Sequence, residues 1–434
     1  MINHSPPFPL ILDYGPHILK RWRPADKDGL LFALQHLSRV HEIMLSAPQS
    51  TLKGVISAML DTAPMLRRLI LHTEWTEFVL PKGFLDGDAP QLRHLELHGV
   101  SLAALHPLLP SATSLVSLVL ERFPSSVYFS PESLIAHIRA MPYLRTLSVG
   151  LLSAVPRHLF PPGQGSQARI ELPALEQLVY RGFSPYLESL LARIRTPVIQ
   201  DIDITLFNQL TFKIPRICTF ISNLEPFRPT TARIDFAQTS AHILLSIPSM
   251  ALQSSESQSQ SPDISLSVSS SRFDFQLSAM AQICSGLSGT DTDSGPGFAH
   301  ANLVLPVEEL RLGFHQNELS KEWRGSEGVD LSLWRTLLTP FRQTRTLYVH
   351  VALAADLQHA LRTPQLQQDG LAPIGEALGL EQELLFPELR TVVLLHGNDE
   401  HVLAGASEAL RSFVDERNRA GHLLNLESQD LSRL

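Results

Sequence analysis

A short phrase of apolar and variable positions recurs along this chain. In its full form a proline precedes an apolar anchor, two variable residues follow, and apolar and variable residues then alternate. Subtracting residue numbers places successive anchors 26, 26, 23, 29, 31 and 24 residues apart, in the range of leucine-rich repeats. These anchors are Val40, Leu66, Leu92, Leu115, Leu144, Leu175 and Ile199, and weaker copies like that at Val40 occur at Thr231, Val307, Thr344 and Leu389.

The alternation at the end of each phrase predicts a short strand with one buried face. We therefore expect Leu95, Leu147 and Ile202 to be buried in parallel strands. A strand, a crossover helix and a parallel strand form a unit that cannot bury its apolar side alone, so successive units must stack. The predicted fold is α/β, an irregular leucine-rich-repeat-like solenoid with a curved parallel sheet on the concave side and helices on the convex side.

Start signals for helices lie between the phrases. Ser130 and Ser184 each precede a proline, and Asp330 precedes an apolar run, so all three are predicted to cap the first turn of a helix. The stretch 407–420 is amphipathic and predicts a C-terminal helix that caps the last repeat.

The repeat extends through most of the chain and predicts a single domain over residues 1–434. Two segments within it predict flexible loops: 249–271 is rich in serine and glutamine, and 285–297 in glycine, serine and aspartate. The alternation over Ile264–Val268 and the apolar stretch Phe273–Ile283 indicate a degenerate repeat between the copies at 231 and 307.

Composition and charge narrow the classes of partner. The chain is 44% hydrophobic and 18% charged, which predicts a folded protein. Its net charge of −8 lacks the basic excess that binders of nucleic acids and anionic membranes carry, so we expect neither partner. Two cysteines, Cys218 and Cys284, suit a reducing compartment, and no signal peptide or membrane helix is expected. We predict an intracellular protein, cytoplasmic, nuclear or both.

Three groups of residues carry side chains that could bind a metal or catalyse a reaction. His94, Glu96 and His98 share one predicted strand face and carry zinc-ligand side chains, but their spacing along a strand is too wide for one ion. Asp201 and Asp203 share a face as acid–base catalysts do, without a neighbouring nucleophile or histidine. The run Asp291–Gly295 begins like a calcium loop and lacks the distal glutamate. We favour solvated polar faces and a loop, with no catalytic residue, metal or cofactor expected.

The variable positions within the phrases predict the side chains of the open sheet face. Mixed charges among them favour a protein partner over a polyanion. The alternative is that much of this face is only solvated or is covered by the long loops. The candidate partner-binding residues are Arg68, His94, Glu96, Gln177, Asp201, Asp203, Arg233, Asp235, Glu309, Arg311 and Tyr348.

The chain resembles basidiomycete fungal F-box proteins with a leucine-rich-repeat-like C-terminal region. The resemblance covers nearly the whole chain in the family's order and depends on segments 9–15, 33–40, 183–191, 206–212 and 413–421. It implies a receptor for ubiquitination substrates, in which an N-terminal F-box docks on a ubiquitin-ligase adaptor. This sequence begins where that F-box is expected to have ended, and it lacks a leucine-proline-x-glutamate start upstream of Pro9. Direct binding to the adaptor is therefore not expected.

Two classes of function follow from these observations. The leading hypothesis is a protein-binding repeat scaffold that resembles the substrate-recognition region of an F-box ubiquitin-ligase subunit. The alternatives are a hydrolase-type enzyme that uses scattered carboxylates and histidines, and a non-functional fragment of an F-box protein. No glycine-rich phosphate loop, nucleophile elbow, zinc-protease helix or C-x-x-C pair occurs in the sequence.

Overall fold

The computed structural model of the protein is α/β and divides into two compact units, Met1–Phe207 and Asn208–Leu434. Each unit combines helices with a sheet that is wholly or mostly parallel. The residues described are 8–14, 24–73, 78–101, 107–123, 130–152, 169–224, 228–247, 263–287, 305–314, 330–361, 384–397 and 400–431.

The first unit alternates strands with short helices. In chain order its elements are β1 (Leu10–Tyr14), α1 (Pro24–Leu34), β2 (Val40–Ser46), α2 (Gln49–Ile56), β3 (Arg68–His72), β4 (Phe78–Val79), β5 (His94–His98), β6 (Val100–Ser101), α3 (Leu108–Ser111), β7 (Ser117–Phe123), α4 (Pro131–Ile138), β8 (Thr146–Leu151), β9 (Ile170–Glu171), β10 (Gln177–Gly182), α5 (Ser184–Leu191), β11 (Ile194–Arg195) and β12 (Asp201–Phe207).

Its main sheet has the order β1-β2-β3-β5-β7-β8-β10-β12, with parallel pairing throughout. The short strands form two separate parallel pairs, β4 with β6 and β9 with β11. Every strand of the main sheet therefore lies beside its neighbours in chain order, as a repeat of strand and crossover predicts.

The alternating phrases form the predicted strands. Leu95 and Leu147 are fully buried and Ile202 is 1% exposed, and each lies in a parallel strand. In β5 and β12 the residues between the buried ones are half-buried, so one face of each of these two strands packs into the core. Burying one leucine side chain stabilises the fold by about 1.5–3 kcal/mol, and the repeat supplies such residues in every strand. The predicted strand assignment is confirmed.

Backbone hydrogen bonds also repeat just before each strand. The amide of the residue after the anchor donates to the equivalent carbonyl of the preceding copy: Arg67 to His41 at 2.8 Å, Arg93 to Arg67 at 2.8 Å, Arg145 to Val116 at 2.7 Å. The same bond recurs in the second unit, where Arg345 donates to Glu308 at 2.8 Å. The anchor residues therefore set a common register from one copy to the next.

The second unit is built from fewer, longer repeats. Its elements are α6 (Pro215–Ser222), β13 (Thr231–Phe236), β14 (Ser240–Ser246), β15 (Asp263–Ser269), α7 (Phe273–Leu287), β16 (Glu309–Phe314), α8 (Leu331–Leu338), β17 (Thr346–His350), α9 (Ala354–Leu361), β18 (Thr391–His396), α10 (Glu400–Arg419) and β19 (Asn425–Asp430). Its strands have the order β15-β14-β13-β16-β17-β18-β19.

Two strand pairs of the second unit are antiparallel, which corrects the expectation of a wholly parallel sheet. β14 pairs antiparallel with both β13 and β15, whereas β16 to β19 continue in parallel. Only residues 237–239 connect β13 to β14, and so short a connection permits a hairpin but not a parallel crossover. The Ile264–Val268 alternation is thus the third strand of an antiparallel meander, and the Phe273–Ile283 stretch lies in the helix α7 that follows it.

The predicted loops coincide partly with regular structure. β15 lies within the predicted loop 249–271, and the predicted loop 285–297 overlaps the last turn of α7, which ends at Leu287. Serine-rich composition suggested a loop, but alternate residues of β15 are buried and favour a strand. Residues 249–262 and 288–297 of these two loops lie outside the described residues.

Two of the three predicted helix caps, Ser130 and Asp330, are confirmed by the structure. The hydroxyl of Ser130 accepts a hydrogen bond from the Ser133 amide at 3.2 Å, and the Asp330 carboxylate accepts one from Ser332 at 2.8 Å. Ser184, by contrast, is the first residue of α5 and is not its cap.

The C-terminal helix α10 begins at Glu400, earlier than the predicted start at 407. It is followed by β19, which pairs with β18, so the helix lies within a strand-helix-strand unit instead of closing the array. Gly421, with φ of 88°, lies just after the helix in the left-handed conformation that favours glycine.

Candidate functional site

The residues that alternate with the core positions of the first unit's strands form three rows, which we call the first-unit strand face. Most of them are half-buried, whereas Ser148 and Gly150 are buried and Arg181 is exposed. Parallel register holds each residue beside its equivalent in the next strand. The first row is Glu42, Arg68, His94, Ser117, Thr146, Gln177 and Asp201; the second is Met44, Ile70, Glu96, Val119, Ser148, Val179 and Asp203; the third is Ser46, His72, His98, Glu121, Gly150, Arg181 and Thr205.

The predicted residues of the first unit all lie on this face, in two rows. Arg68 is 3.9 Å from the carboxylate of Glu42, and Gln177 donates a hydrogen bond to Asp201 at 2.7 Å. Burial lowers the pKa of His94, and the neighbouring Arg68 cation lowers it further. His94 is therefore a neutral imidazole at neutral pH.

A polar cluster surrounds His98 in the second and third rows. The Nε2 atom of His98 lies 2.6 Å from Glu96 Oε1, and its Nδ1 atom lies 3.4 Å from Glu121 Oε2. Ser148 donates to the other oxygen of Glu121 at 2.9 Å. Gly150 makes room for this arrangement, because a Cβ atom there would lie 3.3 Å from the Cγ of Glu121. One imidazole thus bridges two carboxylates from adjacent strands.

The electrostatics of the cluster follow from these bonds. Hydrogen bonds to Glu121 and Glu96 raise the pKa of His98 to about 9, against the opposing effect of burial. The hydrogen bond from His98 lowers the pKa of each carboxyl group, and Ser148 contributes at Glu121. At neutral pH the cluster therefore holds an imidazolium between two carboxylates.

This arrangement changes the interpretation of His94, Glu96 and His98. Both ring nitrogens of His98 are directed at carboxylate oxygens, and a doubly protonated imidazole has no lone pair for a metal. Within the described parts of the chain, no group of histidine, cysteine and acidic side chains is arranged to hold an ion. The cluster can fix side chains on the face and present charge to a partner.

Two residues of the cluster and its surroundings, Glu121 and His72, were missed by the sequence analysis. The His72 Nδ1 atom lies 2.9 Å from Ser46 Oγ, and its ring meets that of His98 edge-on at 5.7 Å. The repeated phrase predicts only two variable positions per strand for the face. Extending the strand period by one more step would have included the third row.

The second unit presents a corresponding surface, the second-unit strand face. Its middle row across β14, β13, β16, β17, β18 and β19 is Leu244, Arg233, Arg311, Tyr348, Val393 and Glu427. The predicted residues Arg233, Arg311 and Tyr348 are thus direct neighbours. The other two predicted residues lie in flanking rows, Glu309 on one side and Asp235 on the other.

Asp235 is the most buried of these residues, at 7% exposure. Its carboxylate forms an ion pair with the Nε atom of Arg233. It lies over Gly313, where a Cβ atom would come within 2.9 Å of Asp235 Oδ1. Burial and the Arg233 cation lower the pKa of Arg311, which remains charged at neutral pH because arginine starts from so high a value.

Comparison with known proteins gives no family: no protein-family model matches the chain, and no curated protein sequence matches it. Among the helices that the structure describes, none combines the length and the apolar character needed to cross a membrane.

Proposed function

We propose that this protein is a protein-binding repeat scaffold that recognises its partner through the two strand faces. The observation that carries the proposal is the register of half-buried side chains across successive parallel strands. Each strand places its variable residues at the same height as those of its neighbours, so variable positions distant in sequence become one surface. Leucine-rich-repeat proteins commonly bind through such a surface.

We also propose that the fold is an irregular leucine-rich-repeat-like solenoid, with a curved sheet on its concave side and helices on its convex side. The spacing of the anchors, the parallel strands and the repeated backbone hydrogen bonds before them support this architecture. The concave side is then the side that carries the partner-binding residues.

The chemistry of the faces favours a protein partner. The two faces carry charges of both signs, and half-buried aliphatic side chains lie between them, as in the second row of the first unit, where Ile70 and Val119 flank Glu96. A polyanion would instead require a continuous basic surface. Protein interfaces combine apolar contact with mixed polar groups that set specificity.

The resemblance to fungal F-box proteins suggests what kind of protein the partner is. In that family the repeat region receives a substrate for ubiquitination, and we propose the same receptor role for this chain, in an intracellular setting. The role of delivering the substrate to a ligase depends on an F-box, supplied within the same polypeptide or by another subunit.

The test compares three purified proteins as baits in a fungal extract: the wild type, a face variant and a matched control. The face variant carries Glu96→Ala, Asp203→Ala and Arg311→Ala. The control carries Asp61→Ala, Glu176→Ala and Arg345→Ala, which remove the same charges from exposed positions outside the two faces.

Quantitative mass spectrometry of the bound proteins is the measurement, with thermal melting to check that all three baits fold. We expect partners shared by the wild type and the control to be lost from the face variant. Identical partner sets for all three baits would contradict recognition through the strand faces.

A further inference from the structure

Two arginines lie side by side on the second-unit strand face. Arg233 of β13 and Arg311 of β16 are register partners in neighbouring parallel strands, about 4.8 Å apart. Like charges directly opposite each other in a sheet destabilise it unless anions separate them. The arrangement therefore has an electrostatic cost, which an anion beside Arg311 would offset.

Among the residues that the structure describes, an acidic side chain pairs with only one of the two arginines. Arg233 forms an ion pair with Asp235, whose carboxylate is held over Gly313. In the part of the chain that the structure describes, the side chain of Arg311 has neither an ion-pair partner nor a hydrogen-bond acceptor. It is half-buried, so its guanidinium is partly desolvated while still accessible from the open face.

Tyr348 adds a second donor on the far side of Arg311. It is the register partner of Arg311 in β17, is half-buried, and makes no side-chain hydrogen bond to a described residue. Burial and the nearby Glu309 raise the pKa of Tyr348, so its hydroxyl remains protonated and able to donate. Arginine and tyrosine are the residue types that most often dominate protein interfaces.

We propose that Arg311 and Tyr348 together bind the carboxylate of an aspartate or glutamate side chain in an acidic segment of a protein partner. This inference rests on the proposed function and names the chemistry recognised at its second-unit face. The guanidinium supplies two parallel N–H donors, which match a carboxylate in geometry. The tyrosine hydroxyl donates a third bond from the neighbouring strand.

Nearby charges select a carboxylate over a phosphate. Glu309 and Glu427 both act on Tyr348 electrostatically, and Asp235 acts on Arg311. With Arg233 paired to Asp235, Arg311 is the positive charge left for a ligand, and the nearby carboxylates disfavour a dianionic phosphate or a polyanion more strongly than a single carboxylate. Leu244, 37% exposed at the other end of the row, favours an aliphatic residue near the acidic one.

The experiment pans the full chain against a phage-displayed library of random linear peptides. We expect the enriched peptides to share an aspartate or glutamate next to an aliphatic residue. A synthetic peptide of the enriched sequence is then titrated against the wild type, Arg311→Gln and Tyr348→Phe by fluorescence anisotropy. Arg311→Gln should weaken binding about tenfold or more, and Tyr348→Phe by several-fold.

Arg272→Gln is the matched control. It removes one positive charge from the same unit at an exposed residue that pairs with Asp274, and it should leave the affinity unchanged. Changing the acidic residue of the peptide to its amide should weaken binding to the wild type but not to Arg311→Gln. That double-mutant comparison assigns the contact to Arg311.

The outcomes separate this inference from the proposed function. Enriched peptides without an acidic residue, bound equally by the wild type and Arg311→Gln, would overturn the carboxylate site while leaving a binding scaffold in place. Tighter binding of a phosphoserine peptide than of the glutamate peptide would also overturn it. Failure to enrich any sequence, together with identical partner sets in the extract experiment, would count against the scaffold itself.

Discussion

Deprotonation of His98 should destabilise the protein over a defined pH range. The imidazolium bridges Glu96 and Glu121, and these bonds raise its pKa from the ordinary value of 6.5 to about 9. A group whose pKa is raised on folding contributes stability that is complete below the unfolded value and is lost as pH rises through the folded value. The loss from this cluster therefore falls between pH 6.5 and about 9.

The magnitude follows from the same values. A rise from 6.5 to about 9 corresponds to roughly 3.4 kcal/mol of preferential stabilisation of the protonated state. Both carboxylates and part of the ring contact solvent, and screening reduces such pairs, so we expect about 1–2 kcal/mol. At the acidic end the sign reverses, because the lowered pKa values of Glu96 and Glu121 contribute stability that is lost as pH falls below 4.5.

Two measurements test this reasoning. Urea denaturation from pH 6.5 to 9.5 should show the free energy of unfolding falling in the wild type, with a shallower fall in His98→Gln. His36→Gln, which removes a half-buried histidine outside the cluster, should keep the wild-type slope. NMR of 13C-labelled imidazoles would follow His98 directly. A His98 ring that titrates near 6.5, or equal slopes in the wild type and His98→Gln, would refute the bridge.

Two further substitutions test the core and the turn after β5. Leu95→Ala removes a fully buried side chain and should lower the free energy of unfolding, measured by urea denaturation, by about 2–5 kcal/mol. Tyr143→Ala, at a residue that is 64% exposed, should change it little. Similar effects of the two substitutions would contradict a core at Leu95. Gly99 has a φ of 67°, and an added Cβ atom would lie 2.5 Å from the Thr73 carbonyl oxygen. Gly99→Ala should therefore lower the melting temperature by several degrees. Gly397→Ala is the control, because an added Cβ atom there meets nothing within 4 Å and should be tolerated. Equal melting temperatures of the two variants would show that the turn at Gly99 relaxes to accept the side chain.

In both units a carboxylate of the strand face lies over a glycine of the neighbouring strand. Glu121 extends over Gly150 in the first unit, and Asp235 over Gly313 in the second. In both cases the carboxylate meets a cation on the same face, His98 or Arg233. A missing side chain in one strand thus makes room for an ion pair anchored in the next. This gives glycine within these strands a role in placing charge on the face.

The sequence by itself determined the strands and which of their faces is buried. Residues of alternating character such as those around Leu95 and Ile202 bury one side of the strand, and this constraint is local to each strand. The anchor spacing likewise indicated parallel neighbours, since each phrase is separated from the next by enough chain for a crossover.

Only the tertiary structure decided which side chains meet. His98 and Glu121 are 23 residues apart in sequence, and their contact depends on the register between two strands that no local pattern specifies. The antiparallel pairing of β13 with β14 could not be predicted from the sequence for a similar reason, because alternation predicts a strand but not its direction. Pairing direction and register are set by connections and packing across the whole sheet, so the charge relations on its faces emerge only when the strands are assembled.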